Sequence, residues 1–138
     1  MNLTMEGNKQ IVRRFNYEFV EHGDMNSFNE LVADNVYNHS APAASSTGPD
    51  GMIYFINVVL RSAFPDLKVE ILDQIAEGDR VVTRKILHAT HSGDFMGIAP
   101  SNKKVSIHVI DIIRLSDGRY VEHWGMSNLA DIVKELSI

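Results

Sequence analysis

Cysteine is absent from the 138 residues, which excludes a disulfide framework, a cysteine-ligated zinc or iron–sulfur site and a thiol nucleophile. Basic charge is scarce too: thirteen Lys and Arg against eighteen Asp and Glu give a formal net charge of -5. The basic residues are scattered, with short pairs only at Arg13-Arg14 and Lys103-Lys104. The basic stripe that displaces counterions from phosphates is therefore missing, and no nucleic-acid partner is expected. The richest apolar stretch, Met52–Leu60, is interrupted by Tyr54 and Asn57, far short of the ~18 apolar residues of a membrane helix. Met1–Lys9 is short and polar and lacks the apolar core of a secretory leader. These absences set the expectation of a cytoplasmic protein with no membrane partner. HExxH, EF-hand, GxGxxG, P-loop and GxSxG spacings are missing as well, so neither a metal, nor a cofactor, nor a serine nucleophile is expected.

What remains is a chain with 44% hydrophobic and 22% charged residues, long enough to bury a core without staples and read as a single domain over 1–138. From Asn8 to Val20 the apolar residues Ile11, Val12, Phe15, Phe19 and Val20 recur at helical spacing. Asn16 falls inside that stripe, and Gly23 suits a left-handed cap. A second helix is predicted within Met25–Asp34 and a short extended run at Val36–His39. A small-residue loop follows, then a third helix over Asp50–Ala63 that is apolar around most of its circumference. After Pro65-Asp66 the period changes to two. Leu67–Ala76, Arg80–His91, Lys104–Leu115 and Tyr120–Met126 are strand candidates, with a last short helix at Leu129–Leu136. Helices first and an antiparallel meander after them predict an α+β fold, with helices covering one face of a curved sheet.

A ligand pocket is mostly apolar with a few convergent polar groups, so polar residues at inward-facing positions are the candidates. The last hairpin offers the first set. A three-residue Ser116-Asp117-Gly118 loop would pair Asp111 with His123, directly opposite on one apolar face and close enough for a carboxylate to orient an imidazole as a general acid or base. A two-residue Asp117-Gly118 loop would instead pair Asp111 with Trp124 and turn His123 to the other face. The first register is preferred, and an inter-strand ion pair without a catalytic role remains the alternative reading. His39, at the end of its short strand, is a second acid/base candidate at a pocket mouth. Asn16 is a candidate donor to a carbonyl or enolate oxygen, although such an amide is more often a satisfied core group or the partner of a buried water. His88, on the strand face of Val82, Arg84 and Ile86, is placed toward the pocket. Phe95 and Met96, in the apolar Ser92–Lys103 segment, are candidate wall or lid residues. Trp124 is a further substrate-contact candidate, although it shares with Ile110, Ile112 and Met126 an apolar second face that a homodimer would cover.

Taken together, Ala63-Phe64-Pro65-Asp66-Leu67, Glu77-Gly78-Asp79-Arg80-Val81-Val82, Thr90 through Pro100 with His91-Ser92-Gly93-Asp94-Phe95-Met96-Gly97, and Ile110-Asp111 through Asp117-Gly118-Arg119 to Val121-Glu122-His123-Trp124 resemble the SnoaL-like polyketide cyclase family. The resemblance implies a nuclear-transport-factor-like cone, usually dimeric, with a pocket between helices and sheet. It also implies intramolecular aldol chemistry without a cofactor, using a carboxylate as acid/base. The cyclases' acid/base aspartate directly follows their His-Trp pair, and that position is Gly125 here. Limonene-epoxide-hydrolase relatives set an arginine beside the strand carboxylate, whereas Val109 and Ile113 flank Asp111. Asp111 resembles the buried oxyanion-hole acid of ketosteroid isomerases, and Asn16 stands near their oxyanion tyrosine. The resulting expectation is a cofactor-independent enzyme acting on a hydrophobic carbonyl compound, with Asp111, His123 and His39 in acid/base roles and Asn16, His88, Phe95, Met96 and Trp124 around the substrate. A non-catalytic small-molecule-binding module of the same fold is the alternative.

Overall fold

The computed structural model describes residues 4–138. Helix α1 starts at Met5–Arg14, where the Thr4 hydroxyl accepts from the Gly7 N–H at 3.0 Å, and continues without a break as a π-helical stretch, Phe15–Glu21. The widening coincides with Asn16, whose amide Nδ2 donates to the Val12 carbonyl at 2.9 Å. That carbonyl is the one the Asn16 backbone N–H would take in an α-helix, and such back-bonding bends or loosens the turn. Gly23, at φ +72°, ends the helix in the left-handed region. The terminal carbonyls of Phe19, Val20 and Glu21 accept from the Arg61 guanidinium, which satisfies acceptors that a helix end leaves open.

Helix α2 (Met25–Leu31) is N-capped by Asp24, whose side chain accepts from the Asn26 and Ser27 N–H groups. The chain turns extended at Val32, earlier than the helical spacing suggests, because strand β1 (Val32–Asn38) pairs with the last strand of the sheet. Helix α3 covers 49–63: Pro49–Ile53, a π-helical Tyr54–Leu60, and Arg61–Ala63. Strands β2 (Lys68–Glu77), β3 (Arg80–Thr90), β4 (Lys104–Ser116) and β5 (Arg119–Ser127) follow, and helix α4 (Leu129–Leu136) closes the chain. The sheet order is β1-β5-β4-β3-β2, with β1 parallel to β5 and the other pairs antiparallel. This is the α+β arrangement expected from the order of periods. Among the described residues no helix is long and apolar enough to cross a membrane.

One face of the sheet is the core face. On β3 it carries Val81, Thr83, Lys85, Leu87 and Ala89, all buried, and on β4 Val105, Ile107, Asp111, Ile113 and Leu115. Val12, Phe15, Phe19 and Phe28 of the helices pack onto it, with Tyr120 against Phe15 at 4.9 Å between ring centres. The other face carries Ile75, Ile110 and Met126 at 66%, 51% and 82% exposure. Both phases of the central strands are therefore apolar, which decides where sequence periodicity misleads.

The β4–β5 hairpin takes a register different from either expected one. Asp117 and Gly118, at φ +51° and +78°, form a two-residue turn with Ser116 opposite Arg119, and a bulge between Arg114 and Leu115 leaves Val121 as the extra residue of β5. Turn and bulge together place Asp111 opposite Gly125, Ile112 opposite Trp124 and Ile113 opposite His123. Asp111 and His123 are thus diagonal neighbours rather than directly opposed. The bulge restores the parity that keeps both on the core face.

Candidate active site

Asp111 sits in a row with Thr83 and Gly125 at the centre of the core face and is 3% exposed. Its Oδ2 meets the Lys85 ammonium at 3.1 Å and the His123 Nε2 at 3.6 Å. Lys85, buried to the same degree, donates at 2.6 Å to the side-chain oxygen of Asn16, a residue with no exposed surface. The Asn16 amide is fixed by its own bond to the Val12 carbonyl. Burial pushes the Asp111 carboxyl up, yet the Lys85 ammonium and the His123 ring beside it outweigh that and hold it below the usual aspartate range. The Tyr120 hydroxyl beneath is driven well above the usual tyrosine range by burial and by the Asp111 charge, so it stays protonated. Asp111 Oδ1 is buried without a partner.

His123 lies over Tyr120, with ring centres 6.1 Å apart, and keeps 18% of its side chain exposed. Its ring crosses Gly125: a Cβ built there would stand 2.8 Å from His123 Cε1 and 3.1 Å from Nε2. Gly125 therefore supplies the space through which the imidazole reaches Asp111. Its N–H and carbonyl are both bonded to the Ser40 hydroxyl, which ties the end of β1 to this point. Chemically, the row is a buried carboxylate kept anionic by an ammonium, next to a partly exposed imidazole that can take or release a proton.

The SnoaL-like polyketide cyclase family matches this chain over residues 10–136. The chain belongs to that family. Solved structures agree. A candidate hydroxylase, AclR from Streptomyces galilaeus, superposes with a TM-score of 0.84 at 28% identity, covering 97% of this chain and 83% of that one. The candidate polyketide cyclase IdmH from Streptomyces antibioticus gives 0.82 at 27% identity, covering 95% and 99%. A SnoaL-like candidate cyclase from Jannaschia sp. CCS1 gives 0.83 at 25% identity, covering 99% and 97%. No curated protein matches the chain significantly.

In this SnoaL-like chain the other residues singled out from sequence do not gather at Asp111. His39 lies across the sheet, stacked on Trp124 at 4.7 Å with planes 4° apart, its Nε2 2.7 Å from Glu122 Oε2. The Arg114 guanidinium donates to the other Glu122 oxygen at 2.7 Å, so this is a second polar cluster on the opposite face. An open groove of about 740 Å³ lies there, walled by His39, Arg84, His108, Ile110, Trp124 and Met126 and touching Lys85 and Gly125 between them. His88 also faces outward and bonds Glu70 at 2.9 Å. Its placement toward the pocket is corrected, because the buried phase of β3 is the one containing Lys85.

Phe95 is fully buried against Phe64 at 5.1 Å, and Met96 is 65% exposed at a turn tip. Phe64 in turn lies against His91 at 5.9 Å, eight residues along the chain from Thr83, the partner of Asp111, roughly 26 Å at the rise of an extended chain, so Phe95 and Met96 form neither wall nor lid for the cluster. The segment is anchored instead by Ser92 and Gly93 on the Ala63 carbonyl and by the buried His91 ring bonded to Ser101. Two members of the core-face cluster were not singled out from sequence: Lys85, and Asn38, whose side-chain oxygen lies 2.8 Å from His123 Nδ1. Lys85 alternates with Val81, Thr83, Leu87 and Ala89, but Val82 and Ile86 make the other phase of β3 apolar as well, so the alternation alone does not mark it as inward. Among the described residues no group of three or more His, Asp or Glu could hold a metal ion.

Proposed function

We propose that this protein catalyses proton transfer on a hydrophobic carbonyl compound at the Lys85–Asp111–His123 cluster, in the manner of a cyclase or isomerase and by side-chain chemistry alone. His123 is the acid/base group. Asp111 stabilises the imidazolium formed when His123 Nε2 takes a proton, and Lys85 keeps Asp111 anionic throughout. Held below the usual aspartate range, Asp111 is itself too weak a base for a carbon acid near neutrality, so its role is electrostatic. Asn16 holds the Lys85 ammonium in place. The observation that carries this reading is the pairing of one buried, cation-neutralised carboxylate with one partly exposed imidazole on the core face.

His39 and Trp124 belong in this reading to the outer face, together with Ile110 and Met126. That exposed apolar surface suits a second copy of the chain, sheet against sheet.

One observation favours non-catalytic ligand binding instead: Gly125 occupies the position where the cyclases it resembles carry an acid/base aspartate, while Asp111 is almost sealed. Deuterium exchange at the α-carbon of a hydrophobic aryl ketone in D2O separates the two. The enzyme reading expects exchange above background that falls about 100-fold or more in Asp111→Asn and His123→Ala, as removal of an acid/base unit does. Exchange unchanged by both substitutions, with the ketone still bound, would sink it.

A further inference from the structure

We infer that Asn38 is a positioning residue that fixes the tautomer of His123 and so selects Nε2 as the nitrogen that exchanges protons; this rests on the acid/base role proposed for His123. Asn38 is the last residue of β1 and stands beside His123 in the parallel β1–β5 pair. Its backbone is clamped on both sides: the Asn38 N–H donates to the Thr47 carbonyl at 2.8 Å, and the His39 N–H donates to the His123 carbonyl at 2.9 Å. Its side-chain oxygen lies 2.8 Å from His123 Nδ1 and also 3.0 Å from the Ser40 backbone nitrogen.

The Ser40 contact decides the chemistry. A backbone N–H can only donate, so the Asn38 atom facing it is the amide oxygen and not the nitrogen. An oxygen can only accept, so the ring nitrogen it meets at 2.8 Å must carry hydrogen. His123 Nδ1 is therefore protonated in the neutral ring, and the lone pair is left on Nε2. Asp111 competes for the opposite tautomer, because an Nε2–H would point at its carboxylate. The distances rank the two: 2.8 Å to Asn38 is a full hydrogen bond, whereas 3.6 Å to Asp111 is beyond hydrogen-bond range. Once Nε2 takes a proton the ring keeps its hydrogen bond from Nδ1 to Asn38 and faces the Asp111 carboxylate at 3.6 Å, an ion-pair distance. The pair is thus arranged as a base whose charged form already has its partners in place.

Nitrogen-15 NMR of His123, at a pH where the ring is neutral and with no ligand added, tests this directly. The native protein is expected to show a pyrrole-type Nδ1 and a pyridine-type Nε2. Asn38→Asp keeps an acceptor in place and is expected to keep that pattern. Asn38→Leu removes the acceptor and is expected to shift the population toward Nε2–H. In the ketone exchange assay Asn38→Leu should lower kcat by about tenfold to 100-fold with KM little changed, while Asn38→Asp retains activity. A native ring found as Nε2–H overturns the inference, as does an Asn38→Leu ring that stays Nδ1–H. The native and Asn38→Asp spectra decide it even if Asn38→Leu does not fold. A correct tautomer without any exchange activity would defeat the proposed function and leave this inference standing.

Discussion

Replacing Lys85 by Met removes the cation that neutralises Asp111 while keeping the length of the side chain. The ammonium and carboxylate are 3.1 Å apart, with 7% and 4% of their side chains exposed, so neither water nor salt screens them effectively. At an effective dielectric of about 20 their attraction is about 5 kcal/mol, and breaking buried pairs of this kind typically destabilises by about 3–5 kcal/mol because a lone charge stays behind. A loss of that size is expected near pH 7. The pH dependence should also reverse. In the native chain the Asp111 pKa is depressed, so its contribution is present above the unfolded value of about 3.9 and is lost only as pH falls through the lower folded value. In Lys85→Met burial dominates and the folded pKa rises. The carboxyl then stabilises the fold below its unfolded value and loses that contribution as pH rises through the raised one. Urea unfolding of both proteins between pH 4.5 and 8 reads this: the deficit should shrink as the solution is acidified. Lys85→Met combined with Asp111→Leu should recover most of the loss, since an apolar pair of similar volume is often as stable as the ions. A deficit under about 1 kcal/mol at pH 7 that does not change with pH would refute the reasoning.

Three further outcomes are expected. Gly125→Ala puts a Cβ 2.8 Å from His123 Cε1; the ring should be displaced, lowering ketone exchange severalfold, and unchanged exchange with unchanged His123 NMR shifts would count against the role of the glycine. Met126→Lys together with Ile110→Lys places two charges on the exposed outer face; sedimentation should show a dimer become monomeric, and a native protein already monomeric at micromolar concentration removes the proposed interface. His91→Ala empties a fully buried site that ties the 92–103 segment to β3; amide exchange should accelerate in that segment with a stability loss of about 2–4 kcal/mol, while ketone exchange stays native because Asp111 lies roughly 20 Å along β4 from the strand end beside His91.

The fold was legible because the change of period from helix to strand falls at Pro65-Asp66, and because Gly23, Pro49 and Asp117-Gly118 each mark a boundary. The site was legible in part, for reasons that can be named. Asp111 and His123 were found by their polarity on an apolar strand phase, but their pairing depended on a bulge at Val121 that no local residue announces. Lys85 was missed because β3 has apolar residues on both phases: Val82 and Ile86 face outward toward a surface that is itself apolar, so alternation could not say which phase was inside. The cation near Asp111 was sought two residues away on its own strand, and it came from the neighbouring one. Asn38 could not be connected to His123 at all, since 85 residues separate them and β1 joins the sheet through a parallel pairing. Phe95 and Met96 looked like a lid because an apolar run in a long loop must bury itself; one of them does so in the core and the other remains at the turn tip.

A crystal structure of the protein with a hydrophobic aryl 1,3-diketone tests most directly whether the core-face cluster is the reactive site. The acidic carbon of the diketone is expected within about 3.5 Å of His123 Nε2, the separation of a near-attack complex, with Asp111 still paired to Lys85. A diketone lying in the outer groove against Trp124, with His123 and Asp111 untouched, would contradict it.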